Sequence, residues 1–152
     1  MTLLSKGYAL LGKAGALLQS PLLLVIRLFW GYQFFLSGKG KLLHLDKTAA
    51  YFDSLNIPLP KLNAIMASST EFAGGILLLL GLFSRVSSLA LMCVMCVALG
   101  TAHREVFATL FSKPDDLLGA DPFLFLYAAT LVFCFGPGRF AVDTLIFKQK
   151  KA

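Results

Sequence analysis

The chain has 152 residues, of which 57% are hydrophobic and only 14% charged, and it carries a formal net charge of +6. A soluble domain has about 25% charged residues and needs them to cover its surface. The composition therefore excludes an ordinary soluble enzyme, a disordered tail and a disulfide-stapled secreted module, and it predicts an integral membrane protein of one domain.

Four apolar segments account for this composition. They run from Pro21 to about Leu43, from about Asn63 to Phe83, from Val86 to about His103, and from Pro122 to about Gly136. A hydrocarbon core of about 30 Å needs about 20 helical residues, so the fourth segment is short for a span. Because lipid offers no partners for backbone polar groups, each segment is expected to be a helix. The predicted fold is an all-α transmembrane four-helix bundle.

The connecting segments set the domain boundaries. Pro21, preceded by Ser20, is typical of a helix start. We therefore predict an N-terminal interfacial segment at 1–20, a membrane domain at 21–145 and a basic tail at 146–152. Two long loops, 44–61 and 104–121, lie on one side of the bundle, which we call the long-loop face; both termini lie on the opposite, terminal face. Residues 49–57 are compatible with a short amphipathic helix on the membrane surface.

The positive charges indicate a membrane partner and not a nucleic acid. Lys and Arg residues sit at the ends of apolar segments and form no patch with interleaved aromatic residues. They are divided nearly equally between the two faces, so the positive-inside rule discriminates weakly. The purely basic tail favours termini on the cytoplasmic side of the membrane.

Two charged residues, Arg27 and Glu71, lie within the apolar segments. A charge at the bilayer centre costs about 2.5–3.5 kcal/mol on insertion scales, so such residues usually pair or line a cavity. Two interpretations remain open: a polar ligand or proton site between helices, and an Arg27–Glu71 pair that holds two helices together. Glu71 is expected about 12 Å inside the long-loop boundary and Arg27 about 12 Å farther toward the terminal face, at 1.5 Å per residue. A direct contact would therefore need a long reach or a tilted helix.

We accordingly predict a polar cavity around Glu71 that opens toward the long-loop face. Polar side chains expected near that level complete the candidate cavity set, which consists of Arg27, Gln33, Glu71, His103, Tyr127 and Thr130. Glycines on the first two helices are assigned to close helix packing, because small residues let backbones approach in lipid; they are Gly31, Gly38, Gly74 and Gly75.

The third segment contains a cluster of sulfur side chains, Met92, Cys93, Met95 and Cys96. Soft sulfur ligands suit Cu(I), but two ligands from one helix face do not complete a typical site. Apolar packing is the favoured interpretation and a copper site is disfavoured. No recognisable nucleophile–base set, phosphate loop or zinc spacing occurs in the sequence, so catalysis by this chain alone is not expected.

Three motifs in order resemble the DoxX family of small four-span bacterial membrane proteins. They are RLFWGYQFFLSGKGKL at 27–42, EFAGGILLLLGLFSR at 71–85 and GPGRFAVD at 136–143. The resemblance covers roughly 22–145. The family's pattern falls on Arg27, Gly31, Gly38, Lys41, Glu71, Gly74, Gly75, Arg85, Gly136, Gly138 and Asp143, while Ala141 departs from the serine that is frequent in the family.

The resemblance implies a four-helix inner-membrane bundle linked to redox work, such as thiosulfate–quinone oxidoreduction, oxidative-stress complexes or the making of copper-binding peptides. We therefore expect an accessory membrane subunit of a redox or quinone-linked system, with a lipid or quinone ligand and a membrane, periplasmic or cytoplasmic protein partner. In an enzyme it would be an oxidoreductase subunit. Two alternatives stay open: a non-catalytic assembly or scaffold factor, and a small transporter or copper-handling protein.

Overall fold

The computed structural model describes residues 3–109 and 112–147, and all regular elements in these ranges are helices. Most of the predicted basic tail, from residue 148 onward, lies outside the described residues. The helices are α1 (Leu3–Leu43), α2 (Leu45–Ser54), α3 (Pro60–Leu80), α4 (Ser84–Ala102), α5 (Arg104–Thr109), α6 (Pro114–Gly119), α7 (Asp121–Phe135) and α8 (Val142–Ile146). The all-α helical bundle predicted from composition is confirmed.

Among the residues that the structure describes, three helices are long and apolar enough to cross a membrane: α1, α3 and α4. The fourth apolar helix, α7, has 15 residues and spans about 22 Å at 1.5 Å per residue. This is shorter than a hydrocarbon core of about 30 Å, which a local thinning of the bilayer accommodates at modest cost. The protein is thus a multi-pass membrane protein.

The bundle is a ring of four helices in which α1 packs on α3, α3 on α4, α4 on α7, and α7 back on α1. Its buried centre is a cluster of apolar side chains, Phe34, Leu78, Leu91, Met95, Ala129 and Val132. Phe125 closes the ring on the α1 side, with its ring 4.6 Å from that of Phe34 and 5.0 Å from that of Trp30. Such edge-to-face aromatic pairs add to the apolar packing.

The prediction that Pro21 starts a helix is wrong. Pro21 lies inside α1, which runs without interruption from Leu3 to Leu43. Proline removes one backbone hydrogen bond, but membrane helices tolerate it where the freed group finds another partner or a local adjustment. At 41 residues, α1 is about 60 Å long, roughly twice the thickness of a hydrocarbon core.

The long loops carry helices of their own. The helix suggested at 49–57 is present as α2, which begins at Leu45 and ends at Ser54. The loop at 104–121 holds the short helices α5 and α6. None of the residues of α2 is fully buried, because the helix lies across the long-loop end of the bundle against α3.

Candidate functional site

A cavity of about 690 Å³ opens between α2, α3 and α4 at the long-loop end of the bundle. Its walls are mainly apolar, with the end of α1 and the start of α7 completing them. The lining includes Lys41, Lys47, Tyr51, Phe52, Asn63, Met66, Ala67, Glu71, Cys93, Val94, Val97, Thr101, His103 and Pro122. A volume of this size lies in the range of small-molecule sites, about 300–1,000 Å³.

Glu71 contributes a buried ion pair to the cavity wall. The Lys41 ammonium donates to both carboxylate oxygens of Glu71, at 2.5 Å to Oε1 and 2.8 Å to Oε2. The Ser37 hydroxyl donates to Oε2 at 2.7 Å. The side chain of Lys41 is 36% exposed, whereas that of Glu71 is 1% exposed. Both carboxylate oxygens therefore accept hydrogen bonds from donors of α1.

The close approach of α1 and α3 brings these groups together. A Cβ at Gly75 would lie 2.5 Å from the Phe35 nitrogen and 2.8 Å from the Gly31 carbonyl oxygen. A Cβ at Gly38 would overlap the backbone of Phe72. Only glycine fits where the two backbones touch, and the contact sets Ser37 and Lys41 against Glu71.

Replacing Gly75 by Ala is therefore expected to force α1 and α3 apart and to lower the free energy of unfolding by about 1–3 kcal/mol, as overpacking does. Gly100→Ala is the control, because an added Cβ there meets nothing within 4 Å. Alanine is the better helix former, so this variant should be neutral or slightly more stable. Thermal unfolding of the purified proteins in detergent compares them, and equal stabilities would contradict the packing argument.

Arg27 lies at the other end of the bundle and does not contact Glu71. Its guanidinium is buried and donates to two backbone carbonyls of the segment after α7, at 2.6 Å to Pro137 and 2.9 Å to Phe140. Gly81 makes room for it: its φ is +69°, and a Cβ there would lie 2.5 Å from Nη1 of Arg27. Arg27 thus connects α1 to the segment that follows α7.

Asp143 completes this connection at the terminal face. Its carboxylate accepts hydrogen bonds from the backbone N–H groups of Phe83 and Ser84 at the start of α4, at 2.7 and 2.8 Å. Its own N–H donates to the Gly81 carbonyl at 2.9 Å. A carboxylate at a helix N-terminus satisfies free N–H groups and favours the helix dipole. We call the contacts of Arg27 and Asp143 the terminal latch.

Only some of the residues predicted to line the cavity do so. Glu71 and His103 both line the cavity, whereas Gln33, Tyr127 and Thr130 are not among its lining residues. Thr130 donates its hydroxyl to the Leu126 carbonyl within α7, and Tyr127 is exposed on the bundle exterior. Gly74, from the packing set, faces α4, where a Cβ would meet the side chain of Leu91.

The sulfur cluster of α4 does not converge on one point. Met95 is buried in the central core and Met92 packs against it, while Cys93 and Cys96 are exposed. Cys93 alone of the four lines the cavity. Within residues 3–109 and 112–147, no group of three His, Cys, Asp or Glu side chains is arranged to hold a metal ion.

Sequence reasoning missed Lys41 and Ser37 as the partners of Glu71. A signal was available, because Arg27, Gly31, Gly38 and Lys41 follow steps of four, seven and three residues along α1 and share one helix face. The long side chain of a lysine in the last turn can lie along the helix, so that its ammonium is at a different depth in the membrane from its own Cα. The cavity-lining role of α2 was also missed, since its residues carry no such pattern.

The profile of the DoxX family matches residues 22–104, more than half of the chain. The protein belongs to the DoxX family. The matched region contains Arg27 together with the whole Glu71 ion pair, and it ends before the 136–143 segment that completes the terminal latch. Searches of curated proteins and of solved structures found no match to this DoxX protein.

Proposed function

We propose that this DoxX protein is an accessory membrane subunit of a redox or quinone-linked system, and that its cavity holds an amphiphilic ligand from the bilayer. The single observation that carries the ligand proposal is the cavity of about 690 Å³ with an ion pair and a few other polar groups in a mainly apolar wall. Apolar pockets with a few convergent polar groups are the usual form of ligand sites. The redox part rests on the resemblance to the family.

A quinone is one ligand whose chemistry fits these walls. Its ring carbonyls accept hydrogen bonds, and the Lys41 ammonium, the Tyr51 hydroxyl and the His103 ring are donors in the lining. Its isoprenoid tail is apolar, like the α3 and α4 residues deeper in the groove. The proposal includes a bacterial inner membrane, which the family resemblance supports, and cytoplasmic termini, which the basic C-terminal residues support.

The test is purification of the full chain from its native membrane in mild detergent, followed by mass spectrometry of bound small molecules and proteins. Ala67→Phe, which fills the cavity from α3, is expected to remove the bound small molecule. Ala73→Phe is the matched control, because Ala73 is exposed on the same helix and does not line the cavity. Gel filtration and thermal unfolding verify that both variants are folded.

The outcomes separate the proposal from its rivals. A redox enzyme among the copurifying proteins, with a small molecule lost only in Ala67→Phe, supports the proposal. A protein partner retained equally in both variants, with no small molecule in the parent, indicates a scaffold instead. Solute flux across vesicles that disappears in Glu71→Gln, without a redox partner, indicates a transporter.

A further inference from the structure

The charged side chains of the cavity lining are two lysines and one glutamate. Lys41 and Lys47 contribute two positive charges, and Tyr51 and His103 add further donors. The one carboxylate of the lining, Glu71, already accepts bonds from Lys41 and Ser37. With histidine neutral, the side chains of the lining therefore carry one net positive charge.

These groups are not spread evenly along the cavity. Lys47 belongs to α2 and His103 follows α4, so both lie at the long-loop end. Ala90 lines the same cavity 13 residues before His103, which corresponds to about 20 Å along a helix. Lys47 and His103 thus lie near the membrane surface, and the groove toward Ala90 is apolar except for the Glu71–Lys41 pair and Thr70. Apart from that pair, this is the polarity of a lipid in one half of a bilayer.

One side of the cavity is open between α3 and α4. Met66 and Val97 line the cavity, yet they are 59% and 58% exposed. Both residues lie within helices that are apolar enough to cross the membrane. The opening is therefore at the level of acyl chains, and a ligand can enter sideways from the bilayer without passing through water.

We infer that the cavity selects a membrane lipid with an anionic phosphate headgroup, such as phosphatidylglycerol. The phosphate lies beneath α2 near Lys47 and His103, and one acyl chain follows the groove past Val97 toward Ala90. Charge complementarity decides in favour of this occupant, because a neutral headgroup leaves the net positive charge of the lining unmatched. The inference rests on the proposed function, since it names the ligand of the same cavity.

Cys93 supplies a direct reporter, because it is exposed and lines the cavity. With Cys96→Ser and Cys134→Ser, it is the single thiol of the full chain, and its rate of reaction with a maleimide measures cavity occupancy. The chain with Cys134 as its single thiol is the control, since Cys134 is exposed on α7 outside the cavity. The probes are short-chain phosphatidylglycerol, short-chain phosphatidylcholine and a decyl quinone, each titrated in nonionic detergent.

Phosphatidylglycerol is expected to protect Cys93 at a concentration about fivefold lower than phosphatidylcholine, as about 1 kcal/mol per basic side chain near anionic lipid implies. It should leave Cys134 unprotected. Lys47→Gln is expected to abolish the preference. Lys61→Gln should preserve it, because Lys61 is an exposed lysine at the same end of the bundle that does not line the cavity.

Equal protection by the two phospholipids, an unchanged preference in Lys47→Gln, or stronger protection by the quinone would each overturn the anionic-lipid inference while leaving a ligand-binding cavity. If no amphiphile protects Cys93, the proposed ligand and the inference both fail. A preference lost in Lys61→Gln as well as in Lys47→Gln would show a general surface charge effect and would also overturn the inference.

Discussion

Lys41→Met is expected to lower the free energy of unfolding by about 3–5 kcal/mol, the usual cost of removing one partner from a buried ion pair. Glu71 would then remain as a carboxylate that is 1% exposed, with Ser37 as its one remaining donor among the contacts described. Glu71→Gln should cost clearly less. The side chain of Lys41 is 36% exposed and can turn toward the long-loop face when its partner is lost.

Unfolding in detergent micelles measures the two variants and the double variant. The double variant Lys41→Met with Glu71→Gln should recover most of the loss, because no unpaired charge remains inside. Lys39→Met is the control, since Lys39 is exposed two residues earlier on α1 and its ammonium lies 6.0 Å from the centroid of the Phe35 ring. A larger loss in Glu71→Gln than in Lys41→Met would contradict the burial asymmetry.

Arg27→Met should remove the two hydrogen bonds that hold the segment after α7, at about 1.5–3 kcal/mol for each bond to a charged group. Arg27→Lys should fall between this variant and the parent, because a compact ammonium lacks the planar fork that reaches two carbonyls at once. Arg139→Gln is the control, since Arg139 is an exposed arginine of the same segment.

Besides the lower stability, we expect faster amide hydrogen exchange in one segment of the Arg27→Met variant. The backbone N–H of Asp143 is bonded to the Gly81 carbonyl, so loss of the terminal latch should speed its exchange in Arg27→Met. Amides in the centre of α3 should change less. If exchange at Asp143 is the same in Arg27→Met and in Arg139→Gln, Arg27 does not hold the segment.

The helices could be predicted from sequence because their lengths follow from the apolar runs that lipid requires. Pro21 misled the prediction, since a proline that is typical of a helix start is also tolerated inside a membrane helix. The helix start expected at Pro21 was inferred only from Ser20 and Pro21 themselves. The structure shows instead a helix that continues through it.

The partners of the two buried charges could not be predicted in the same way. Arg27 donates to the backbone carbonyls of Pro137 and Phe140. Every residue has a backbone carbonyl, so the sequence does not indicate which one an arginine binds. Glu71 on α3 pairs with Lys41 on α1. The glycines of both helices determine which faces of α1 and α3 pack together. Because Gly38 and Lys41 share one face of α1, the sequence indicated which face of α1 packs on α3. It did not show that the Lys41 side chain is long enough to reach Glu71.

The two ends of the bundle differ in a way that gives the molecule sidedness. The cavity opens near the long-loop face, whereas the terminal latch closes the opposite end with Arg27, Gly81 and Asp143. An amphiphile bound as proposed would therefore enter and leave at the long-loop end. Such a protein would sample the lipids of a single leaflet, and it would report on that leaflet without moving molecules into the other.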